Sequence, residues 1–284
     1  MSGGEDLGTL DAAGSPVRDA LSAATDALTA AGVDDPRLDA EVMLAAAMGT
    51  DRAALYADAK ATVEPSAARE FATLVRRRVR REPVAYILGR SWFRQLELVV
   101  DSRVLIPRPE TELLVDLAHD RQRVLDVGTG SGAIALAIAN EREGVRVTGI
   151  DNSPDAIEVA RMNAARTGLD VEFLIADLIV GGPYELIVAN PPYVREAEYG
   201  SLQPEISLYE PRDALIGGAD GLDVIRDLIP AAVDVLVRGG RLSIEVGQGQ
   251  SRAVESLFER SGFTQVEAIR DLAGIPRVVT GRVR

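Results

Sequence analysis

Val124-Leu125-Asp126-Val127-Gly128-Thr129-Gly130-Ser131-Gly132 passes from a short apolar run straight into a loop with three glycines, and a helical pattern follows over 132–140. A strand, a glycine loop and a helix in that order open a βαβ unit. Glycine has no Cβ, so a ligand can approach the backbone of such a loop closely. Gly128, Gly130 and Ala133 match the spacing of the dinucleotide fingerprint, and Asp151 stands where a ribose-binding acid is expected. The spacing alone leaves the ligand undecided.

Further apolar runs occur at 145–150, 171–175, 186–189 and 242–246, and helical patterns fit at 154–166, 221–237 and 250–261. This alternation predicts a parallel sheet with helices on both faces. The last two runs, 265–269 and 277–283, have no helix between them, which predicts an antiparallel hairpin at one sheet edge. On the N-terminal side, Ser15-Pro16, Asp35-Pro36 and Glu64-Pro65 are helix start signals with proline at the first helical position. No strand pattern intervenes, so 15–82 is expected as a small helical bundle. Residues 83–109, broken by Gly89, Pro107 and Pro109, are expected as a linker or β-hairpin, 110–284 as the α/β domain, and 1–14 as a disordered tail.

The chain of 284 residues is 46% hydrophobic, enough for two cores. It has no cysteine and one histidine, His119, which excludes disulfides, thiolate chemistry and His clusters for a metal, and none is expected. His119 follows Leu113, Leu114 and Leu117 and is expected at a helix end. The net charge of −13, from 31 Lys and Arg against 44 Asp and Glu, argues against a nucleic-acid partner held mainly through phosphates. No apolar run approaches the roughly 20 residues that span a bilayer, and a cytoplasmic location is expected. The one strongly basic run, Arg76 to Arg81, closes the third predicted helix, where cations are favoured; it is read either as a solvated face or as a docking patch.

Asp126 decides between ligands for the glycine loop. An acid two residues before the glycines repels a pyrophosphate and attracts an ammonium group. A cofactor with both an amino acid and a ribose fits better, and S-adenosylmethionine is that molecule. Asp177, after the third strand run, is placed to accept from an adenine amino group, with Leu178 against the purine face. Strand ends after 127, 150, 176 and 189 then supply successive parts of one crevice. The fourth carries Asn190-Pro191-Pro192-Tyr193, in which two prolines stiffen the backbone where a strand stops and lack N–H donors. Either this is a proline-rich turn, or it is a rigid set of acceptors for a planar –NH2 group beside the sulfonium methyl. On the second reading Asn190 Oδ1 and the Pro191 carbonyl each accept one proton of the acceptor nitrogen, and Tyr193 packs on its plane.

Asp126 to Gly132, Asp151 and Asn190 to Tyr193 together resemble class I S-adenosylmethionine-dependent methyltransferases. Within that group, Pro83-Val84-Ala85-Tyr86-Ile87-Leu88-Gly89 and Leu105-Ile106-Pro107-Arg108-Pro109-Glu110-Thr111-Glu112 resemble the peptide-chain release factor glutamine N5-methyltransferases, the PrmC or HemK family. The resemblance implies a Rossmann-like, mostly parallel seven-stranded sheet behind a helical domain. It also implies methyl transfer to N5 of the glutamine in the Gly-Gly-Gln motif of class 1 release factors. By resemblance Gly128, Thr129, Gly130, Ser131, Gly132, Asp151, Asp177 and Asn190 contact the cofactor. Asn190, Pro191, Pro192 and Tyr193 form the glutamine pocket with Phe93 as a wall, and the helical domain docks the release factor. Two alternatives share the –NH2 acceptor: a glutamine of a ribosomal protein, and an exocyclic base nitrogen in DNA or RNA.

Overall fold

The computed structural model describes residues 13–120 and 122–284. Most of the expected tail at 1–14 therefore lies outside the described residues; Gly14 does not, and its N–H donates to the Val63 carbonyl at 3.1 Å. The chain divides into two units. The first comprises Met1–Gly89 together with the distant segment Pro204–Tyr209, the second Arg90–Gln203 with Glu210–Arg284.

The first unit contains α1 (Val17–Ala30), α2 (Pro36–Ala47), α3 (Arg52–Ala57), α4 (Pro65–Val79) and α5 (Val84–Leu88). Apolar residues at helical spacing, among them Leu21, Ala24, Leu28, Met43, Leu44, Phe71 and Val75, form its core. The proline start signals hold, but not through side-chain caps: Ser15 does not cap α1, which begins after Pro16, and neither Asp35 nor Glu64 caps with its side chain. The expected linker at 83–109 is only partly one, because 84–88 is helical and Ile87 joins this core.

Part of the basic run at the end of α4 is engaged inside the unit, while Arg76 and Arg80 stay exposed. Arg78 donates to Asp39 at 2.7 Å and pairs with Glu205 at 2.7 Å, Arg81 grips both oxygens of Glu205 at 2.6 and 2.7 Å, and Arg77 binds Glu82 and the Ile87 carbonyl. Glu205 lies in the short helix Pro204–Tyr209, α9 in chain order, so these arginines fasten α9 to the unit. Burial alone would raise the Glu205 pKa, but Arg81 and Arg78 outweigh it and hold it below the usual carboxylate range. Neither sequence reading of the run described this.

The second unit opens with the hairpin β1 (Arg90–Phe93) and β2 (Leu96–Val99), followed after a turn by α6 (Glu112–Val115). Then come β3 (Arg123–Val127), α7 (Ala133–Glu141), β4 (Arg146–Asp151), α8 (Pro154–Thr167), β5 (Glu172–Ile175) and β6 (Tyr184–Ala189). After α9 follow α10 (Asp223–Val235), β7 (Leu236–Glu245), α11 (Ser251–Arg260), β8 (Thr264–Arg270) and β9 (Pro276–Arg282). The sheet order is β5-β4-β3-β6-β7-β9-β8, parallel through β7 and antiparallel at β9 and β8, as the missing last helix predicts. Strand residues alternate between two cores: Val124, Leu186, Val188 and Val278 pack with α7 and α8, while Leu125, Ile187, Ala189 and Val279 pack with α10 and α11. That period of two, apolar on both faces, is why these strands read as continuous apolar runs. Among the differences from expectation, β7 begins six positions before 242, and α6 stops at Val115, leaving His119 exposed beyond the helix end.

Candidate active site

Strand order reverses beside β3, with β4 on one side and β6 on the other, and open α/β sheets bind ligands at such a switch point. Val127 pairs with Ala189, so the glycine loop and Asn190 leave neighbouring strands at the same level. A Cβ built on Gly128 would lie 3.9 Å from the Asn190 carbonyl, and one on Gly130 would meet nothing within 4 Å. Both glycines have positive φ, +71° and +54°, and leave an open cradle over the backbone.

The cradle is stitched to its neighbours. The Thr129 N–H donates to the Ile150 carbonyl at 2.8 Å, the Gly130 N–H to Asp151 Oδ2 at 3.0 Å, and the Ala176 N–H to the Asp151 carbonyl at 2.9 Å. Behind it, the fully buried Asn163 of α8 donates to the Ser131 and Val99 carbonyls at 2.9 and 3.0 Å and accepts from the Val99 N–H at 2.7 Å. Asn163 thereby holds the glycine loop and the hairpin in one frame. Asn163→Ala would strand the buried Ser131 carbonyl and both backbone groups of the half-buried Val99, and a loss of about 2–4 kcal/mol in a urea melt is expected, with weaker cofactor binding.

Asp126 is wholly buried, and Oδ2 accepts from Thr129 Oγ1 at 2.6 Å and the Ala135 N–H at 3.2 Å. Burial pushes its pKa up to about 7 despite those bonds. In this position Asp126 braces the loop, and its Oδ1 is a buried acceptor with no partner among the described residues. Thr129, Ser131 and Gly132 are likewise buried and build the loop, whereas Gly128, Gly130, Asp151, Asp177 and Leu178 retain accessible surface. Asp151 accepts from the Gly130 and Ser153 N–H groups and, with four lone-pair sites, keeps capacity for ligand hydroxyls. An open cradle and a half-exposed acid at the next strand end suit a ligand with a ribose, whereas Asp126, expected to take an ammonium group, has no exposed surface and braces the loop instead.

Asn190 sits on the other side of the cradle. Its Nδ2 donates to Thr111 Oγ1 at 3.1 Å, which leaves Oδ1 without a hydrogen bond among the described residues. The rest of the proline loop is clamped. The Tyr193 carbonyl accepts from Gln250 Nε2 at 2.9 Å, the Val194 N–H donates to Leu215 at 2.8 Å, and the Gly217 N–H donates to Val194 at 2.9 Å. Tyr193 OH reaches Glu245 Oε1 at 3.4 Å, a weak hydrogen bond. Burial and then the charge of Glu245 push the tyrosine up to about 12, so it stays a phenol.

Phe93 is placed differently from expectation. It is 1% exposed within the core formed by Leu98, Leu114 and Val188, and it offers no surface as a pocket wall. Two residues that the sequence reading passed over stand behind the site. Thr111 was visible only inside the Leu105-to-Glu112 motif, and Glu245 ends the apolar strand β7, where an acid at the carboxyl end of a buried strand is itself a signal. Burial raises Glu245 to about 7, against hydrogen bonds from Thr111 and Tyr193 that favour the carboxylate. Arg108 pairs with the buried Glu210 and Arg277 with Glu110 at 3.5 Å, which anchors the same motif. Among the described residues no group of His, Cys, Asp or Glu is arranged to hold a metal ion.

A family model described as the PrmC N-terminal domain matches residues 19–89, and one described as a methyltransferase small domain matches 107–204. The chain is 44% identical to the release factor glutamine methyltransferase of Geobacter sulfurreducens, over 89% of this chain and 91% of that one. It is 42% identical to the release factor glutamine methyltransferase of Caulobacter vibrioides, over 92% and 94%. A solved methyltransferase structure from Pyrococcus furiosus, 18% identical, superposes with a TM-score of 0.51 over 66% of this chain and 88% of that one, a likeness of fold.

Proposed function

Because the chain belongs to the release factor glutamine methyltransferase family, we propose that Asn190 and Pro191 hold the acceptor glutamine while the loops after β3, β4 and β5 hold the methyl donor. It is a protein-(glutamine-N5) methyltransferase that acts on release factors and uses S-adenosylmethionine. The observation that carries the site assignment is the Asn190 amide, whose nitrogen donates to Thr111 and whose oxygen has no hydrogen bond among the described residues.

The acceptor in this reading is the glutamine of the Gly-Gly-Gln motif of class 1 release factors. Its nitrogen is a poor nucleophile, because the lone pair is delocalised into the carbonyl. S-adenosylmethionine supplies a methyl group made electrophilic by its sulfonium. The chain's task is therefore alignment and charge stabilisation. Asn190 Oδ1 and the Pro191 carbonyl accept the two N–H groups, turn the lone pair towards the methyl, and stabilise the positive charge that grows on nitrogen. Tyr193 lies along the amide plane, and Pro192 keeps the loop rigid. On the donor side Gly128 and Gly130 admit the amino-acid portion to the backbone, Asp151 takes ribose hydroxyls, and Asp177 and Leu178 flank the adenine. Asp126, Thr129, Ser131 and Gly132 hold the loop in shape from beneath.

The first unit is the proposed docking surface for the release factor; of its basic run Arg77, Arg78 and Arg81 are engaged within the unit, and Arg76 and Arg80 remain exposed. Among the described residues no helix is long and apolar enough to cross a membrane, and the cytoplasm, where release factors work, is the proposed compartment. Incubation with labelled S-adenosylmethionine tests the reading: a class 1 release factor is expected to take label, and its Gln→Ala variant in the Gly-Gly-Gln motif none. Label retained in that variant, or preferred labelling of ribosomal proteins, would refute it. A chain lacking residues 1–89 is expected to keep cofactor binding and lose most label transfer.

A further inference from the structure

Proline fixes φ at positions 191 and 192, so few torsions remain between Asn190 and Tyr193, and the direction of the Pro191 carbonyl follows from where the two ends of the loop are held. The near end continues β6, whose Ala189 pairs with Val127 on one side and Ile244 on the other. At the far end the Tyr193 carbonyl is held by a side chain, that of Gln250 at the start of α11. Gln250 is 5% exposed, and both ends of its amide are used. Oε1 accepts from the Gly247 N–H at 2.8 Å, and Nε2 donates to the Tyr193 carbonyl at 2.9 Å, with the Asp220 and Gly221 carbonyls beside it at 3.4 and 3.5 Å. A backbone N–H only donates and a carbonyl only accepts, so these partners admit one orientation of the amide. Gly247 also lies under the Tyr193 ring: a Cβ there would stand 3.1 Å from Tyr193 Cδ2 and 2.9 Å from Gln250 Oε1.

We infer that Gln250 is a positioning residue for the reaction: it ties the Tyr193 carbonyl to the backbone on which the Tyr193 ring lies, and so fixes both the ring and the direction of the Pro191 carbonyl. The next carbonyl back is fixed as well. A Cβ on Gly217 would lie 2.3 Å from the Pro192 carbonyl, so that segment runs directly behind the loop, and the bonds of Val194 to Leu215 and of Gly217 to Val194 hold it there. Gln250 is buried, so it acts through Tyr193 and not on the substrate. The rest of α11 packs on the sheet through Val254 and Phe258, and a polar side chain at its start adds nothing to that apolar core. Its bonds go instead to the acceptor loop, 57 positions away in sequence. The stake is large for one amide, because a misplacement of about 1 Å at an aligned centre costs up to roughly 100-fold in rate.

The inference rests on the loop holding the acceptor amide, and the test separates the two. Label transfer from S-adenosylmethionine to a class 1 release factor is measured as kcat and KM, with cofactor affinity by calorimetry, for Gln250→Met, Gln250→Glu and Asn190→Ala. Each is compared with the intact chain at the same pH, from about 6 to about 8.5. Gln250→Met keeps the volume and loses both bonds; kcat is expected to fall about tenfold at every pH, with KM and cofactor affinity within about twofold. Gln250→Glu keeps the acceptor for Gly247 and sets an oxygen against the Tyr193 carbonyl. Ionised, that oxygen repels the carbonyl; protonated, its O–H donates to it, and burial raises the pH at which the change occurs. The kcat of Gln250→Glu is therefore expected about tenfold or more below the intact chain near pH 8.5 and within about threefold of it near pH 6. Tyr193 and Glu245 stand beside the contact in both proteins, and Asp220 is paired with Arg226 in both, so the ratio reports the introduced group. A ratio that stays flat with pH, a cofactor affinity that falls as far as kcat, or an intact rate in the folded fraction of Gln250→Met beside a slow Asn190→Ala overturns the positioning role alone. If Gln250→Met does not fold, the pH profile of Gln250→Glu decides. An intact rate for Asn190→Ala overturns the underlying reading and the positioning role with it.

Discussion

Replacing Asn190 with alanine is expected to lower turnover on a release factor by about 100-fold or more while S-adenosylmethionine still binds, within a few-fold of the intact chain. The size follows from losing one oriented polar group at a centre of developing charge, which costs on the order of 10²–10³ in rate. The selectivity follows from the geometry. Asn190 leaves β6 beside the cradle, but the cradle is held by Thr129, Asp151 and Asn163, none of which bonds to Asn190. The change should therefore remove acceptor alignment and leave the donor site standing. Single-turnover label transfer measures the first effect and calorimetry with S-adenosylmethionine the second. If cofactor affinity falls as far as the rate does, Asn190 serves the donor and its role as acceptor clamp is wrong.

Gly221→Ala is expected to destabilise the protein by about 3 kcal/mol or more, a loss outside the ordinary range for one added methyl group. At φ +78° a Cβ there would lie 2.2 Å from the Tyr193 carbonyl oxygen and 2.6 Å from Gln250 Nε2, the two atoms of a hydrogen bond that clamps the proline loop. A backbone atom cannot give way as a flexible side-chain end can, so either the loop moves or the segment carrying Gly221 does. Gly249 is the control: its φ of +86° carries the same left-handed penalty, yet its Cβ would meet nothing within 4 Å. Gly249→Ala should therefore cost only the conformational part, about 1–2 kcal/mol. Urea melts of the two variants give the comparison, and equal losses would show that close packing of Gly221 on Tyr193 contributes nothing. In the folded fraction of Gly221→Ala, label transfer should fall more than cofactor binding, because the displaced atom belongs to the acceptor loop.

Much of the second unit was legible because its signals are local. The strand-loop-helix at 124–140 appears as β3 and α7, and the missing helix between the last two strands appears as the antiparallel β8–β9 edge. Proline start signals located α1, α2 and α4, since a ring that removes an N–H is tolerated at the first turn wherever the helix packs. Local signals also misled where a local preference was outranked. The arginines of α4 are favourable at a helix C-terminus in any context, and nothing in their spacing discloses that Glu205, more than 120 positions away, takes two of them. Phe93 was expected as a pocket wall by resemblance, and its burial in the core under β1 decided otherwise.

The sequence by itself determined the α/β class, the helical unit ahead of it, the glycine loop, and the proline-stiffened loop at Asn190 to Tyr193, because strand period, helix period and turn chemistry depend on neighbours a few residues apart. Only the tertiary structure decided which of those residues keep accessible surface and which are buried beneath the loop. It also decided that Asn163 ties the loop to the hairpin, that Asn190 bonds Thr111, and that Tyr193 reaches Glu245. A hydrogen bond requires two groups within about 3 Å of each other. Which distant residues come that close is set by strand order and register across the whole sheet, and no local pattern carries that information.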